Sequence, residues 1–328
     1  MRRHTLTVLF LTVLFFLAAC TNGGNQDTVR VAEVTRSVFY APFYAAIAEG
    51  YFEEEGIDID LTTTWGGDKT MTALLSDGAD AALVGAETSI YVHAQEASDP
   101  AINFAALTQT DGTFLVSRET TEDFVWEDLK DSVFLGQRAG GMPQMVGEYV
   151  LNQHDIDPHS DLELIQSIDF GNIASAFASG TGDYVQLFEP QATMFEQEGL
   201  GTVVASFGEA SGQVPYTTFM AKQSMLDEDR DLYIRFAKAL HKGQELVNEQ
   251  DPSVTAAAIV DYFEDTPEEV IAEAVERYRD QGSYAETPEL NEEAWNHLQD
   301  IMDAAGELPN EIPFEELVDE RIATESLN

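Results

Sequence analysis

Residues 62–75 read TTTWGGDKTMTALL: a run of three threonines stops at Trp65 and two glycines, and a helix-forming segment begins directly behind them. Residues 133–151, VFLGQRAGGMPQMVGEYVL, repeat the device, with an apolar strand, the pair Gly140-Gly141 and a second helical segment. Two such strand-to-helix junctions in one chain point to a shared purpose.

Working outward from the first junction, short apolar strands alternate with amphipathic helices. TVRVAEV, APFYAAIAEGYFEEEG, IDIDLTTT, DKTMTALLSDG and ADAALVG follow one another over residues 28–85. This order, βαβαβ, is that of a parallel sheet with helices on its faces. The order returns over residues 131–188 as DSVFLGQ, MPQMVGEYVLNQHD, DLELIQSI, GNIASAFASG and GDYVQLF, so the chain contains two copies of one lobe. GTFLVSRE (112–119) leaves the first copy and QVPYTTFMAK (213–222) ends the second. The tail from residue 224 is helical by period, and its apolar stripe is expected to pack on the first lobe.

In open α/β sheets, ligands bind beyond the carboxyl ends of strands, where the next helix begins with unpaired backbone N–H groups. Glycine at such a place lets a ligand approach the backbone. The duplicated pattern therefore nominates equivalent positions just past predicted strands: Arg36, Phe39 and Tyr40; Trp65, Gly66, Gly67 and Asp68; Glu87 and Thr88; Asp111; Arg138, Gly140 and Gly141; Asp169 and Asn172; and Glu189. Phe39, Tyr40 and Trp65 are the candidates for stacking on a flat ligand. Glu87 and Glu189 end matching strands and are expected to face each other across a cleft, one of them pairing with Arg138. Neither glycine pair belongs to a GxGxxG fingerprint, and GxxxxGK[ST] is absent, so no nucleotide cofactor is expected.

The first 19 residues read as a secretory signal, with Arg2, Arg3 and His4 ahead of an apolar run from Leu6 to Leu17. That run is short for a membrane span, which takes about 20 residues. Leu17-Ala18-Ala19-Cys20 resembles the lipobox of bacterial lipoproteins, which makes Cys20 the expected lipidation site and residues 20–27 a tether. Cys20 is the only cysteine, so the mature chain has no disulfide and no catalytic or metal-binding thiol. His154 and His159 sit in a polar stretch, NQHDIDPHSD, where solvent exposure is expected rather than metal binding.

The chain has 328 residues, with 60 Asp and Glu against 16 Lys and Arg, of which five are lysine, for a net charge of −44. Loss of Arg2 and Arg3 with the signal would take it to −46. Nucleic acid is excluded as a partner because a polyanion needs a basic face. The acids are spread evenly along the sequence, as in proteins of salt-loving or alkaliphilic organisms, and make a solvated surface.

The lipobox, SVFYAPFYAAIAEGYFEEEGIDIDL, LLSDGADAALVG and FLVSRE followed by WEDLKDSVFLGQRAGG resemble the solute-binding proteins of bacterial ABC importers. The likeness covers about residues 28–250 and is to the branch of nitrate, taurine, alkanesulfonate and thiamine-pyrimidine-precursor binders. It implies an α/β periplasmic-binding-protein type II fold of two lobes, each a mixed, mostly parallel sheet flanked by helices, joined by two crossover strands. Residues 28–115 with 218–328 would form lobe one and 116–217 lobe two. It further implies a monomer anchored by lipid on the extracytoplasmic face of the cell membrane, with a small solute, a permease and its ATPase as partners. The nominated loops are acidic, which favours a thiamine-related aminopyrimidine over taurine, an alkanesulfonate or nitrate. The related pyrimidine synthases use a cysteine-rich iron site and a lysine-held pyridoxal phosphate. A lipid-anchored enzyme or sensor on this fold is disfavoured, because no cysteine follows residue 20 and Lys69 reads as a surface lysine of a first helical turn.

Overall fold

The computed structural model describes residues 26–120 and 123–328. The expected signal peptide, Cys20 and most of the tether lie outside the described residues.

Two five-stranded mixed sheets form the frame. In the first, β1 (Asp27–Glu33), β2 (Ile57–Thr63) and β3 (Ala81–Gly85) are parallel. β4 (Ala101–Thr108) closes the sheet at one edge. The outgoing strand β5 (Thr113–Ser117) belongs to the second sheet, with β6 (Val133–Leu135), β7 (Glu163–Ile165), β8 (Tyr184–Phe188) and β9 (Thr202–Ser206). The returning strand β10 (Thr217–Lys222) belongs to the first. The orders are β2-β1-β3-β10-β4 and β7-β6-β8-β5-β9. The sheets share one plan, and in each the strand that completes the fourth position arrives by crossing between lobes and runs antiparallel to both neighbours.

β5 pairs with β8 and β9 from Thr113 to Ser117, so the expected lobe boundary between residues 115 and 116 falls inside a strand. The pairing puts the crossings at residues 109–112 and 207–216. Strands covered on both faces read as continuous apolar runs, and β4, AINFAALT, is buried at all eight positions.

The helix Arg230–Glu249 lies on the helix Ala41–Ala48 in the first lobe. At their crossing a side chain at Gly243 would put its Cβ 2.1 Å from the Pro42 carbonyl oxygen, so only glycine permits the approach. The helix Glu268–Asp280 departs from the expectation that the tail packs on lobe one alone: it also contacts Gln191–Gln197 of the second lobe. Tyr278 near its end donates a hydrogen bond from its hydroxyl to Gly112 O at 2.8 Å and accepts one from Glu189 N at 3.0 Å. The tail is thus a brace behind the two crossings.

Candidate functional site

The carboxyl ends of strands from both sheets converge on a cavity of about 700 Å³ between the lobes. That size is in the range of small-molecule sites, roughly 300–1,000 Å³. Each wall can be followed from its local sequence.

Beyond β1, Ser37 caps a short 3-10 helix, Val38–Tyr40, its Oγ accepting from Phe39 N. The same hydroxyl donates across the interface to Glu189 O at 2.9 Å. Phe39 becomes the centre of an aromatic group drawn from both lobes, with ring centroids 5.7 Å from Phe188, 5.5 Å from Tyr216 and 5.0 Å from Tyr278. Gly112 makes room for that ring, since a Cβ there would stand 2.6 Å from it.

Beyond β2, Trp65 adopts a left-handed backbone, φ +61°, and Gly66 one of φ +152°, before the helix Gly67–Leu75 begins. The reversal brings Trp65 to the rim of the cavity with 55% of its surface exposed. A left-handed non-glycine residue costs of order 1 kcal/mol, so the chain tolerates some strain to hold an indole there. Beyond β6, Gly140 (φ +86°) and Gly141 open the helix Met142–Gln153, and Gly140 N donates to Gln144 Oε1 at 3.0 Å. Arg138 Nη2 and Asp68 Oδ1 approach to 3.3 Å across the cleft. Both side chains are more than half exposed, and such a pair is worth about 0–1 kcal/mol, a light clasp at the mouth.

Of the nominated residues, Phe39, Tyr40, Trp65, Gly66, Gly67, Asp68, Glu87, Thr88, Arg138, Gly140, Gly141 and Asp169 line the cavity. Arg36, Asp111, Asn172 and Glu189 do not. Arg36 turns into the first lobe, 3.0 Å from the buried Glu33 and about 5 Å from the ring centroids of Tyr44 and Tyr262. Asp111 is buried at the crossing, where Thr113 N donates to its Oδ1 at 2.6 Å, and burial pushes its pKa up to about 6. Asn172 ends the 3-10 turn Phe170–Asn172 and faces solvent.

Glu189 is 0% exposed and pairs with Arg277 at 2.7 Å rather than with Arg138. Thr193 N and Oγ1 also donate to it, each at 3.0 Å. The two glutamates therefore do not face each other: Glu87 is held at the cavity wall and Glu189 is taken up by the brace.

Among the contributors that escaped the sequence reading are Gln137, Phe188, Tyr216 and Thr217. Gln137 and Phe188 each precede a nominated residue by one position, so a one-residue wider window at the same strand ends reaches them. Tyr216 and Thr217 sit where the return crossing passes the cleft, a place the duplicated pattern does not mark.

Among the described residues, Glu87 Oε2, Gln137 Oε1 and Tyr216 Oη are buried without a hydrogen-bond partner, and all three residues line the cavity. Buried polar atoms are nearly always satisfied, so these three leave hydrogen-bonding capacity open to a group entering the cavity. Tyr216 Oη lies near enough to Asp111 to favour that group's charged form, but short of hydrogen-bond geometry. Gln137 is fixed by its Nε2, which donates to Gln186 O at 2.7 Å, leaving Oε1 as an acceptor. Burial pushes the Glu87 carboxyl up to about 8, so at neutral pH it is mostly protonated and both donates and accepts. No group of three His, Cys, Asp or Glu among the described residues is placed to hold a metal ion. His154 stacks on Trp126 and His159 lies 3.3 Å from Glu148.

The description of the NMT1-like family matches residues 24–261. A Bacillus subtilis (strain 168) protein, YtlA, whose name describes it only as a binding protein, is 61% identical over 311 residues, 95% of this chain and 93% of that one. The chain belongs to the NMT1-like family. Among solved structures it is similar to the alkanesulfonate-binding protein SsuA from Xanthomonas axonopodis pv. citri bound to MOPS. There the TM-score is 0.73 at 15% identity, over 90% of this chain and 99% of that one. It is also similar to the periplasmic nitrate-binding protein NrtA from Synechocystis PCC 6803, with TM-score 0.68 at 14% identity, over 91% and 88% of the two chains. This NMT1-like chain has the two-lobed fold of those periplasmic binding proteins, and its cavity lies between the lobes. No helix among the described residues is long and apolar enough to cross a membrane.

Proposed function

We propose that the protein is an extracytoplasmic solute-binding lipoprotein of an ABC importer, that its solute is a thiamine-related aminopyrimidine, and that it delivers this to a membrane permease. The observation that carries the reading is the set of unpartnered atoms on an aromatic-walled cavity between two lobes. A flat aminopyrimidine stacks against Phe39, Tyr40 or Trp65 and offers an amino group and a ring nitrogen side by side. A protonated Glu87 meets that edge with one accepted and one donated hydrogen bond, and Gln137 Oε1 accepts a further N–H.

Titration calorimetry with formylaminopyrimidine, taurine and nitrate tests the ligand. Micromolar binding of the pyrimidine is expected, weakened about tenfold by Tyr216→Phe, the loss of roughly one hydrogen bond to a buried group. Tight binding of taurine or nitrate with no response to the pyrimidine would overturn it.

Anchoring rests on Cys20, which supplies the acyl-bearing residue for a chain whose apolar leader is too short to stay in the bilayer. Cys20→Ser should leave the precursor uncleaved and without lipid, read by mass spectrometry of the membrane fraction. Normal processing and acylation in that variant would end the lipoprotein reading.

A further inference from the structure

We propose that Glu87 fills, with its own carboxyl, the seat between two helix starts where an oxyanion would otherwise bind, and so sets the cleft against sulfonates and nitrate. The inference rests on the cavity being a solute site and deepens that reading by assigning the residue that decides ligand charge.

Glu87 is the first residue of the helix Glu87–Ala94 in lobe one, and Met142 is the first residue of the helix Met142–Gln153 in lobe two. The first N–H groups of a helix have no partner within it, and together with the helix dipole they attract anions. Glu87 and Met142, one from each lobe, both line the cavity, and the backbone N–H groups of both pull the Glu87 carboxyl toward its ionised form. Two helix starts from opposite lobes thus open on one cavity, and at the first of them a buried carboxyl already stands.

The position is built. The Glu87 side chain folds back over Gly85, where a Cβ would stand 2.1 Å from Oε2 and 2.7 Å from the carboxyl carbon. Only glycine at 85 leaves that space. The residue is 5% exposed, its Oε2 has no partner, and no basic side chain contributes to its ionisation. The groups that do feel its charge are the phenols of Tyr40, Tyr91 and Tyr216. A carboxyl in that state repels a free anion when charged and blocks its seat when neutral. It is satisfied by a ligand that brings an N–H or a cation to it.

The test is a gain of binding. Methanesulfonate and nitrate are titrated into the wild type, Glu87→Ala, Glu87→Gln and Gly85→Ala. Glu87→Ala empties the seat and Gly85→Ala displaces the carboxyl, so each should bind one or both anions about tenfold or more tightly than the wild type. Glu87→Gln keeps the seat filled and should gain little. No gain in either alanine variant would overturn the proposal, and so would a gain in Glu87→Gln equal to that in Glu87→Ala. Should the pyrimidine fail to bind the wild type while the alanine variants gain anions, the ligand reading falls and the seat stands. The converse result removes the seat alone.

Discussion

Replacing Arg277 by methionine should lower stability by about 3–5 kcal/mol near neutral pH, the usual cost of stripping the partner from a buried charge. Glu189 is fully buried, and without Arg277 its carboxylate keeps only the two donors of Thr193. The variant also frees Glu196, which Arg277 holds at 2.6 Å. The loss carries a pH signature. Burial pushes Glu189 upward, and the nearby Arg277 guanidinium is the largest influence pulling it back. A carboxyl whose folded pKa is raised favours folding below its unfolded pKa and loses that contribution as pH rises through the folded one. Removing Arg277 widens that window, so the deficit against wild type should be largest near pH 7 and shrink near pH 5. Urea unfolding of both proteins at the two pH values measures it. A deficit below about 1 kcal/mol, or one unchanged by pH, would contradict the assignment of Arg277 as the counter-ion. The double variant Arg277→Met with Glu189→Gln should recover part of the loss, since it leaves no buried charge.

Phe236→Ala is the second large effect. The ring is fully buried and lies 4.9 Å from Phe52, 5.6 Å from Phe104 and 4.9 Å from Phe219, centroid to centroid. These rings come from an N-terminal helix, from β4, from β10 and from the helix Arg230–Glu249, so the cluster ties the tail to the first sheet. Truncation leaves a cavity that packed aromatics cannot collapse, at a cost of about 3–5 kcal/mol. The thermal midpoint should fall by roughly ten degrees, scaling from about 2–4 °C per kcal/mol. Val254→Ala, at an exposed site, serves as the comparison and should scarcely move it. Equal midpoints for the two variants would show that the cluster does not hold the tail.

The duplicated βαβαβ pattern is a local property of hydrophobic period and glycine placement, and it carried the sheets, the strand ends and part of the cavity wall. What it missed depends on segments distant in sequence. Glu87 and Glu189 follow equivalent strands, β3 and β8, and the repeat treats them alike. They part company because Arg277, 88 residues beyond Glu189, arrives on a helix whose spacing says only that one face is apolar. Arg36 was drawn away from the cleft in the same manner by Glu33, Tyr44 and Tyr262. Tyr216 entered from the return crossing, which lies outside both copies of the βαβαβ pattern. Charge pairing across long separations is invisible to period, whereas strand ends are not.

The exchange of β5 and β10 between the sheets orders the folding of the chain in time. The second sheet is built entirely from residues 113–206, one unbroken stretch. The first has a gap between β3 and β4 until β10 is available, because that strand pairs with both. As the chain is made from its N-terminus, the lobe begun first is finished last, and β4 waits as an apolar strand with no neighbour while more than a hundred residues follow it. Long-range pairing of this kind is slow and leaves edges open to aggregation. The interval between the synthesis of β4 and that of β10 is therefore when the chain is most in need of a chaperone.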